Sequence, residues 1–410
     1  MLTGQDFIAN VAILSTELAK ESWGKTSWFR YSGNTEITFG PEGKRHFMPS
    51  GSPIEIVKTF IEEGRDNMLI PFLKDLVGAP SYGDTPIVGT GEQQILWWLR
   101  SYINQTRKPV ESFSGGASYQ RQKAYRLMEA AKPQLVKYIS KLENQEVSRA
   151  FYEGVSGNLS ASTAVDGLGV YKRYHPNMYV NDGGVLTAVG TEYQLKTAAQ
   201  IDTGVTAADT GLTSAILGDL RVKCLQLGIV PMMTKGGLAY WPLLVHPYQL
   251  EALLVDTSYK ASSDAIYNGA KENPELQGLG AFWRGFAVFD DIHAIRAWDG
   301  TGFFGTTTET MFAPTTTTTN KNAIVFGAQA VGKGVAEDVN YTYEDADHQN
   351  VKEVAFRMQN GYNRADFVAE ASATEASGGV FYKNTTGGVA PETVVIKNQS
   401  SLILMTDEGA

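Results

Sequence analysis

One pattern restricts the fold of this chain more than any other. From Ser118 to Glu153, Leu127, Ala131, Leu135, Tyr138 and Leu142 recur every three or four residues, which predicts a long helix with one apolar stripe. Pro133 falls inside the pattern, so a kink or restart is expected there. Immediately ahead, Gln93 to Phe113 sets Ile95, Leu96, Trp97, Trp98, Leu99, Tyr102, Ile103 and Val110 around the polar stretch Asn104 to Pro109. That arrangement reads as a two-stranded ribbon with a polar tip.

Around this pair the chain divides into shorter signals. Phe7, Val11, Leu14 and Leu18 share one stripe of an N-terminal amphipathic helix, which needs a partner because nothing nearby forms its core. Pro53 to Glu63, closed by Gly64, reads as a second helix. Asn67 to Gly78 leads into the turn signal Gly83-Asp84-Thr85-Pro86, and Gly154 to Gly190 reads as loop or short strand. A mixed region follows: helix Thr213 to Leu227, strand Leu238 to Val245, helix Pro247 to Asp256, strands within Phe286 to Trp298, and strand Ala323 to Phe326. The threonine runs Thr306 to Thr308 and Thr315 to Thr319 flank Pro314 in an exposed loop. Alternating stretches at Val351 to Phe367 and Thr393 to Met405 end the chain, with Asn398-Gln399 placed to turn a hairpin.

Composition excludes several classes. With 410 residues, 43% hydrophobic and 19% charged, the chain is globular and long enough for two or three folding units. No apolar run approaches the roughly 20 residues that a membrane-crossing helix needs, so a soluble chain without a membrane partner is expected. Cys224 is the single cysteine, which excludes an internal disulfide; it reads as a small buried residue on its helix. The net charge of -9 argues against tight binding of nucleic acid by the whole surface. That average hides a polarity: Arg100 to Lys141 carries nine bases against two acids, whereas Glu337 to Glu375 carries nine acids against Lys352, Arg357 and Arg364. Such asymmetry permits complementary faces between copies.

Candidate chemistry is sparse. Gly327 to Gly334 has the glycine and lysine spacing of a phosphate-binding loop after a strand, but Gly334 stands where a magnesium-binding hydroxyl is required. Asp290-Asp291-Ile292-His293 and Asp345-Ala346-Asp347-His348 place acids beside imidazoles without the spacing of a zinc or calcium site. The five histidines are scattered, and no Gly-x-Ser-x-Gly elbow occurs. No catalytic residue, cofactor or metal is therefore expected. Aromatic and basic residues interleave from Trp97 to Tyr125, which suits either base stacking or, with Trp97 and Trp98 adjacent, apolar contact against another surface.

Several segments, in order, resemble the major capsid family typified by coliphage N-four. They are Gly64 to Leu73, Tyr82-Gly83-Asp84 through Glu92, Gln120-Arg121, Phe151-Tyr152-Glu153, His175-Pro176-Asn177, Leu244 to Gln249, Gly278-Leu279-Gly280 through Asp290, and Phe326 to Ala330. Thr301 to Asn320 matches nothing in that family. The resemblance implies an α+β fold of the Hong Kong 97 capsid type and explains the loop at Gly327 as a strand passing into a helix. It further implies an N-terminal arm and lead-in at 1–92, an extended β-ribbon loop at 93–117, a peripheral domain with a spine helix at 118–189, an axial domain at 190–333, and return strands of the peripheral domain at 334–410.

On that reading the chain is a shell subunit and not an enzyme. Its partners are other copies in pentamers and hexamers, with scaffold, portal and decoration proteins besides, around double-stranded DNA bound without sequence preference. It resides in the virion, and in the host cytoplasm during assembly. Phe7, Val11, Leu14, Leu18, Trp97, Trp98, Arg107 and Lys108 become candidates for contacts between subunits. Some phages of this fold form a lysine–asparagine bond between neighbours, and Lys108 lies at a suitable tip, although a tip lysine is ordinarily only solvated. A nucleotide-dependent phage enzyme built on Gly327 to Lys333 and a nonviral compartment shell stay open as alternatives.

Overall fold

The computed structural model describes residues 20–39, 45–58, 67–73, 80–82, 96–111, 127–154, 175–188, 211–233, 239–261, 281–290, 320–346, 351–368, 396–398 and 400–407. The expected N-terminal stripe and the threonine-rich loop lie outside them. Helix α1, Leu127–Glu153, realises the long apolar pattern, and Pro133 sits inside it without ending it. Beyond Pro133, Leu135, Val136, Ile139 and Leu142 are buried against Val339, Val354, Phe356 and Met358, and this packing holds the helix in one piece.

Those four partners belong to a long antiparallel hairpin, Val331–Ala346 with Val351–Arg364, irregular between Val335 and Asn340. The hairpin forms the middle of a five-stranded sheet. Ile54–Lys58 runs parallel to Val331–Val335 on one side, followed by Ser32–Asn34, also parallel; Asn104–Glu111 closes the other side antiparallel.

A second sheet of eight strands contains, in spatial order, Ala281–Trp283, Phe286–Asp290, Ala239–Val245, Asn320–Phe326, Ser401–Asp407, Met178–Asp182 and Val185–Ala188, with Met232–Met233 paired to Ala239–Val245. Gly183 and Gly184 take φ 59° and 82° in the two-residue turn between Met178–Asp182 and Val185–Ala188, a conformation that glycine adopts without steric cost. Helix α2, Ser214–Leu227, and helix α3, Pro247–Val255, pack on this sheet through Ile216, Leu217, Leu220 and Leu253. Thr213 caps the start of α2, and Gly228 ends it in the left-handed region, which bounds the helix expected over Thr213 to Leu227. Cys224 is fully buried on α2, and burial pushes its thiol up to about 12.

The two sheets meet at an aromatic cluster. Phe326 lies 5.3 Å from Trp28 and 5.1 Å from Tyr31, while Phe151 stacks on Trp28 at 5.3 Å and Phe289 on Tyr31 at 5.2 Å. Residues just after the N-terminal region thus fill the seam between the sheets.

Four expectations are corrected. The stretch read as a helix from Pro53 is strand Ile54–Lys58, whose residues 54–57 are all buried; Ile54, Ile56 and Val57 favour a strand once neighbours cover both faces. Gln93 to Phe113 does not form a ribbon with itself: Leu96–Tyr102 pairs with Asn67–Leu73, and Asn104–Glu111 pairs with residues 353–360. Residues 327–330 form a turn between two strands, not the start of a helix. No hairpin turns at Asn398, because Ile396–Lys397 pairs with Phe367–Val368 while Ser401–Asp407 crosses to the eight-stranded sheet.

Candidate functional site

Lys333, the lysine of the loop that resembled a phosphate binder, is part of a closed clasp between α1 and the long hairpin. Its Nζ donates to Glu143 Oε1 at 2.8 Å, and the Tyr362 hydroxyl donates to the same oxygen at 3.2 Å. The Trp23 ring covers the ammonium, 3.3 Å from its centroid, and both charged side chains are buried at 7% and 4% exposure. Burial holds the Lys333 pKa below its ordinary value, with the Glu143 carboxylate pulling the other way. Burial, followed by Glu143, holds the Tyr362 hydroxyl well above its own.

The backbone of the loop is equally committed. A phosphate loop must aim free amide groups at its ligand. Here the Gly327 amide donates to Ser400 O, Ala328 to Val230 O, Gln329 to Ser52 O, and Ala330 and Val331 both to Pro53 O, at 2.7–3.2 Å. A Cβ at Gly327 would lie 2.0 Å from Val230 O, so glycine is required by the close approach of the backbone that follows α2 and not by a nucleotide.

A second buried network ties the C-terminal part to the rest. The Arg364 guanidinium, fully buried, forks onto both Asp366 oxygens at 2.7–2.9 Å and donates Nη1 to Phe151 O at the end of α1. Asn398 donates to Asp366 Oδ1 at 2.9 Å and accepts from the amides of Ser400 and Ser401. Asn177 donates to Asn398 O and Ser401 O, and His175 Nε2 lies 2.8 Å from Ser401 Oγ. The segment His175-Pro176-Asn177 was visible in the sequence only through a family resemblance; Arg364 and Asp366 carried no signal, because what buries their pair, Phe151 and Asn398, comes from elsewhere in the chain.

The predicted contact residues are distributed as follows. Phe7, Val11, Leu14 and Leu18 lie outside the described residues. Trp97 and Trp98 occupy strand Leu96–Tyr102, opposite Phe72 and Pro71, in a two-stranded ribbon that pairs with no other described strand. Arg107 and Lys108 do not sit at a ribbon tip: they lie in strand Asn104–Glu111, opposite Arg357 and Phe356, exposed at the edge of the five-stranded sheet. Lys108 is therefore part of a paired strand, which removes the loop-tip placement expected for a linking lysine. Asp290 and Asp345 end a strand and lie in the hairpin, while His293 and His348 fall outside the described residues. Among the described residues no group of three or more His, Cys, Asp or Glu could hold a metal ion. No helix among them is long and apolar enough to cross a membrane.

What the geometry offers is thus a subunit with buried polar networks and, among the described residues, sheets that end on unpaired edge strands such as Asn104–Glu111. The model of the family described as phage capsid protein matches residues 49–380. The chain belongs to the phage capsid protein family. This capsid protein resembles solved shells over nearly its whole length. The capsid of Ralstonia phage GP4 gives a TM-score of 0.58 at 15% identity, covering 88% of each chain. The Cyanophage Pam1 capsid gives 0.54 at 17%, covering 93% of this chain and 92% of that one. The acid-stable capsid of Helicobacter pylori bacteriophage KHP30 gives 0.53 at 11%, with the same coverage. At these identities the likeness shows the fold, which is the α+β capsid fold of the Hong Kong 97 type. No curated protein matches the capsid protein's sequence. As a member of this family it is a major capsid protein, a builder of the virion shell.

Proposed function

We propose that the chain self-assembles, as pentamers and hexamers of identical copies, into the icosahedral shell that encloses double-stranded phage DNA, and that it carries no catalytic activity. The observation that carries this reading is the match of the phage capsid protein family to residues 49–380; the ribbon Asn67–Leu73 with Leu96–Tyr102 supports it, since it shares no paired strand with either large sheet among the described residues. The long hairpin covers part of the ribbon within the chain, where Ile70 is fully buried, and we assign the rest of the cover that a two-stranded ribbon needs in water to a neighbouring copy. The ribbon then replaces residues 93–117 as the extended loop. Helix α1 and the long hairpin serve as the peripheral domain, and the eight-stranded sheet with α2 and α3 as the axial domain.

The ordered segments that resemble the coliphage N-four group support a relation to that group. Scaffold, portal and decoration proteins are further partners, and assembly takes place in the host cytoplasm. Trp97 and Trp98 on the ribbon, and the N-terminal stripe Phe7, Val11, Leu14 and Leu18, are proposed contacts between copies. The acidic net charge of -9 suits a container, because DNA slides past a wall that does not hold its phosphates. Electron microscopy with mass photometry of the purified protein tests the reading. Closed shells or capsomer rings are expected; uniform monomers at every concentration overturn it, and shells filled with a cargo protein in place of DNA indicate a nonviral compartment.

A further inference from the structure

The eight-stranded sheet carries opposite charges at its two edge hairpins. At one edge, Arg284 and Gly285 form the two-residue turn between Ala281–Trp283 and Phe286–Asp290, with φ 44° and 94°. A turn with both φ values positive favours Asn-Gly, because few other side chains tolerate the left-handed region. Arginine is therefore not what the turn itself selects, and its side chain has to supply the reason.

The Arg284 guanidinium lies 5.2 Å from the centroid of the Trp283 ring, and its Nη1 would be 3.4 Å from a Cβ built on Gly218 of α2. Arg221 reaches the same turn from α2, its Nε 3.9 Å from a Cβ built on Gly285. Both arginines are exposed, and neither makes an ion pair among the described residues. Like charges held side by side without a counter-charge are unfavourable in an isolated copy.

The other edge has the reverse character. There the sheet ends in the hairpin of Met178–Asp182 with Val185–Ala188, and Asp182, at its glycine turn, is exposed without an ion pair among the described residues. Asp219 is exposed and equally without an ion pair, and, two positions from Arg221, it points about 160° away around α2. That turns it to the flank of Lys223, whose Nζ lies 5.8 Å from the ring of Tyr179 in the same edge hairpin. Lys223 is the one base among these groups, and two carboxylates outnumber it.

We propose that the two edges meet head to tail between copies of this chain, so that Arg221 and Arg284 of one copy receive the carboxylates of Asp182 and Asp219 of the next. The surfaces joined are different, so each copy keeps one edge open until the set closes into a ring. A guanidinium donates to both oxygens of a carboxylate, which fixes the geometry of the contact, and repulsion between like edges keeps copies from joining the wrong way round. The inference rests on the capsid reading and gives its rings a specific contact.

The test begins with Arg284→Asn in the full chain, which removes the guanidinium and installs the residue that the turn favours. This variant is expected to melt at or above the wild-type temperature and yet to lose assembly into rings or shells by roughly tenfold or more. Arg221→Glu with Arg284→Glu, and separately Asp182→Lys with Asp219→Lys, are each expected to abolish assembly. All four substitutions in one chain again set opposite charges across the contact and are expected to restore particles. Assembly of Arg284→Asn at the wild-type level overturns the contact, and so does a folded fourfold variant that stays unassembled. Normal assembly of Arg284→Asn with weaker binding of double-stranded DNA assigns the arginine to phosphate groups and overturns it as well. A wild type that never assembles sinks the capsid reading itself and this contact with it.

Discussion

A single buried proton acceptor, His246, gives this capsid protein a specific weakness in acid. His246 Nδ1 accepts the Tyr248 amide at the start of α3, while Gln249 accepts the His246 amide in return, which closes a capping box. Burial, and then the charge of Lys321, lower its pKa from 6.5 to about 4. Because the folded state holds the neutral ring, the stabilisation is complete above pH 6.5 and is lost as pH falls toward 4. The loss is on the order of 1–3 kcal/mol. His246→Asn keeps a capping acceptor that does not titrate, so thermal melts of this variant between pH 7 and 4 are expected to show a smaller decline than the wild type. At the other clasp, Lys333→Met strands the Glu143 carboxylate in the interior. Urea denaturation is expected to show a loss of about 3–5 kcal/mol, most of it regained in Lys333→Met with Glu143→Leu.

The elements show what a sequence can and cannot disclose. Strand Ala239–Val245 and helix α3 were legible because an apolar run is followed at once by a cap and by proline at the first helical position. Strand Ile54–Lys58 was mistaken for a helix because a proline and a glycine bracketed it. Its strand character comes from parallel pairing with Val331–Val335, nearly 280 residues away, and periodicity carries no trace of that partner. The ribbon was likewise detected as apolar strand and given the wrong mate. Of the contact candidates, Arg107 was found from local charge, whereas its place in a paired strand opposite Arg357 became visible only through register. Gly327→Ala tests the element scale. With Val230 O in the way of the new methyl group, the variant is expected to be recovered largely as insoluble protein, and a soluble variant that melts within a few degrees of the wild type would contradict the close approach.

Across the whole molecule, the two sheets are held to one another by an aromatic seam and one polar network, both drawing on residues far apart in the chain. On the proposed reading, particle formation draws on the opposite charge of the basic stretch Arg100 to Lys141 and the acidic stretch Glu337 to Glu375, so it is expected to weaken between 0.1 and 1 M sodium chloride, on the order of the range over which screening shortens from about 10 to 3 Å. Light scattering across such a titration checks this, with melting of the isolated subunit expected to change far less. The placement of Ser401–Asp407 reaches further. This strand lies between Asn320–Phe326 and Met178–Asp182, in the interior of its sheet, and contributes Leu402, Ile403, Leu404 and Met405 to the core. A nascent polypeptide therefore cannot seal its interior until translation has passed those residues. Prematurely terminated products are left with a gap in the middle of a sheet, and the growing particle is protected from defective building blocks by the order of synthesis alone.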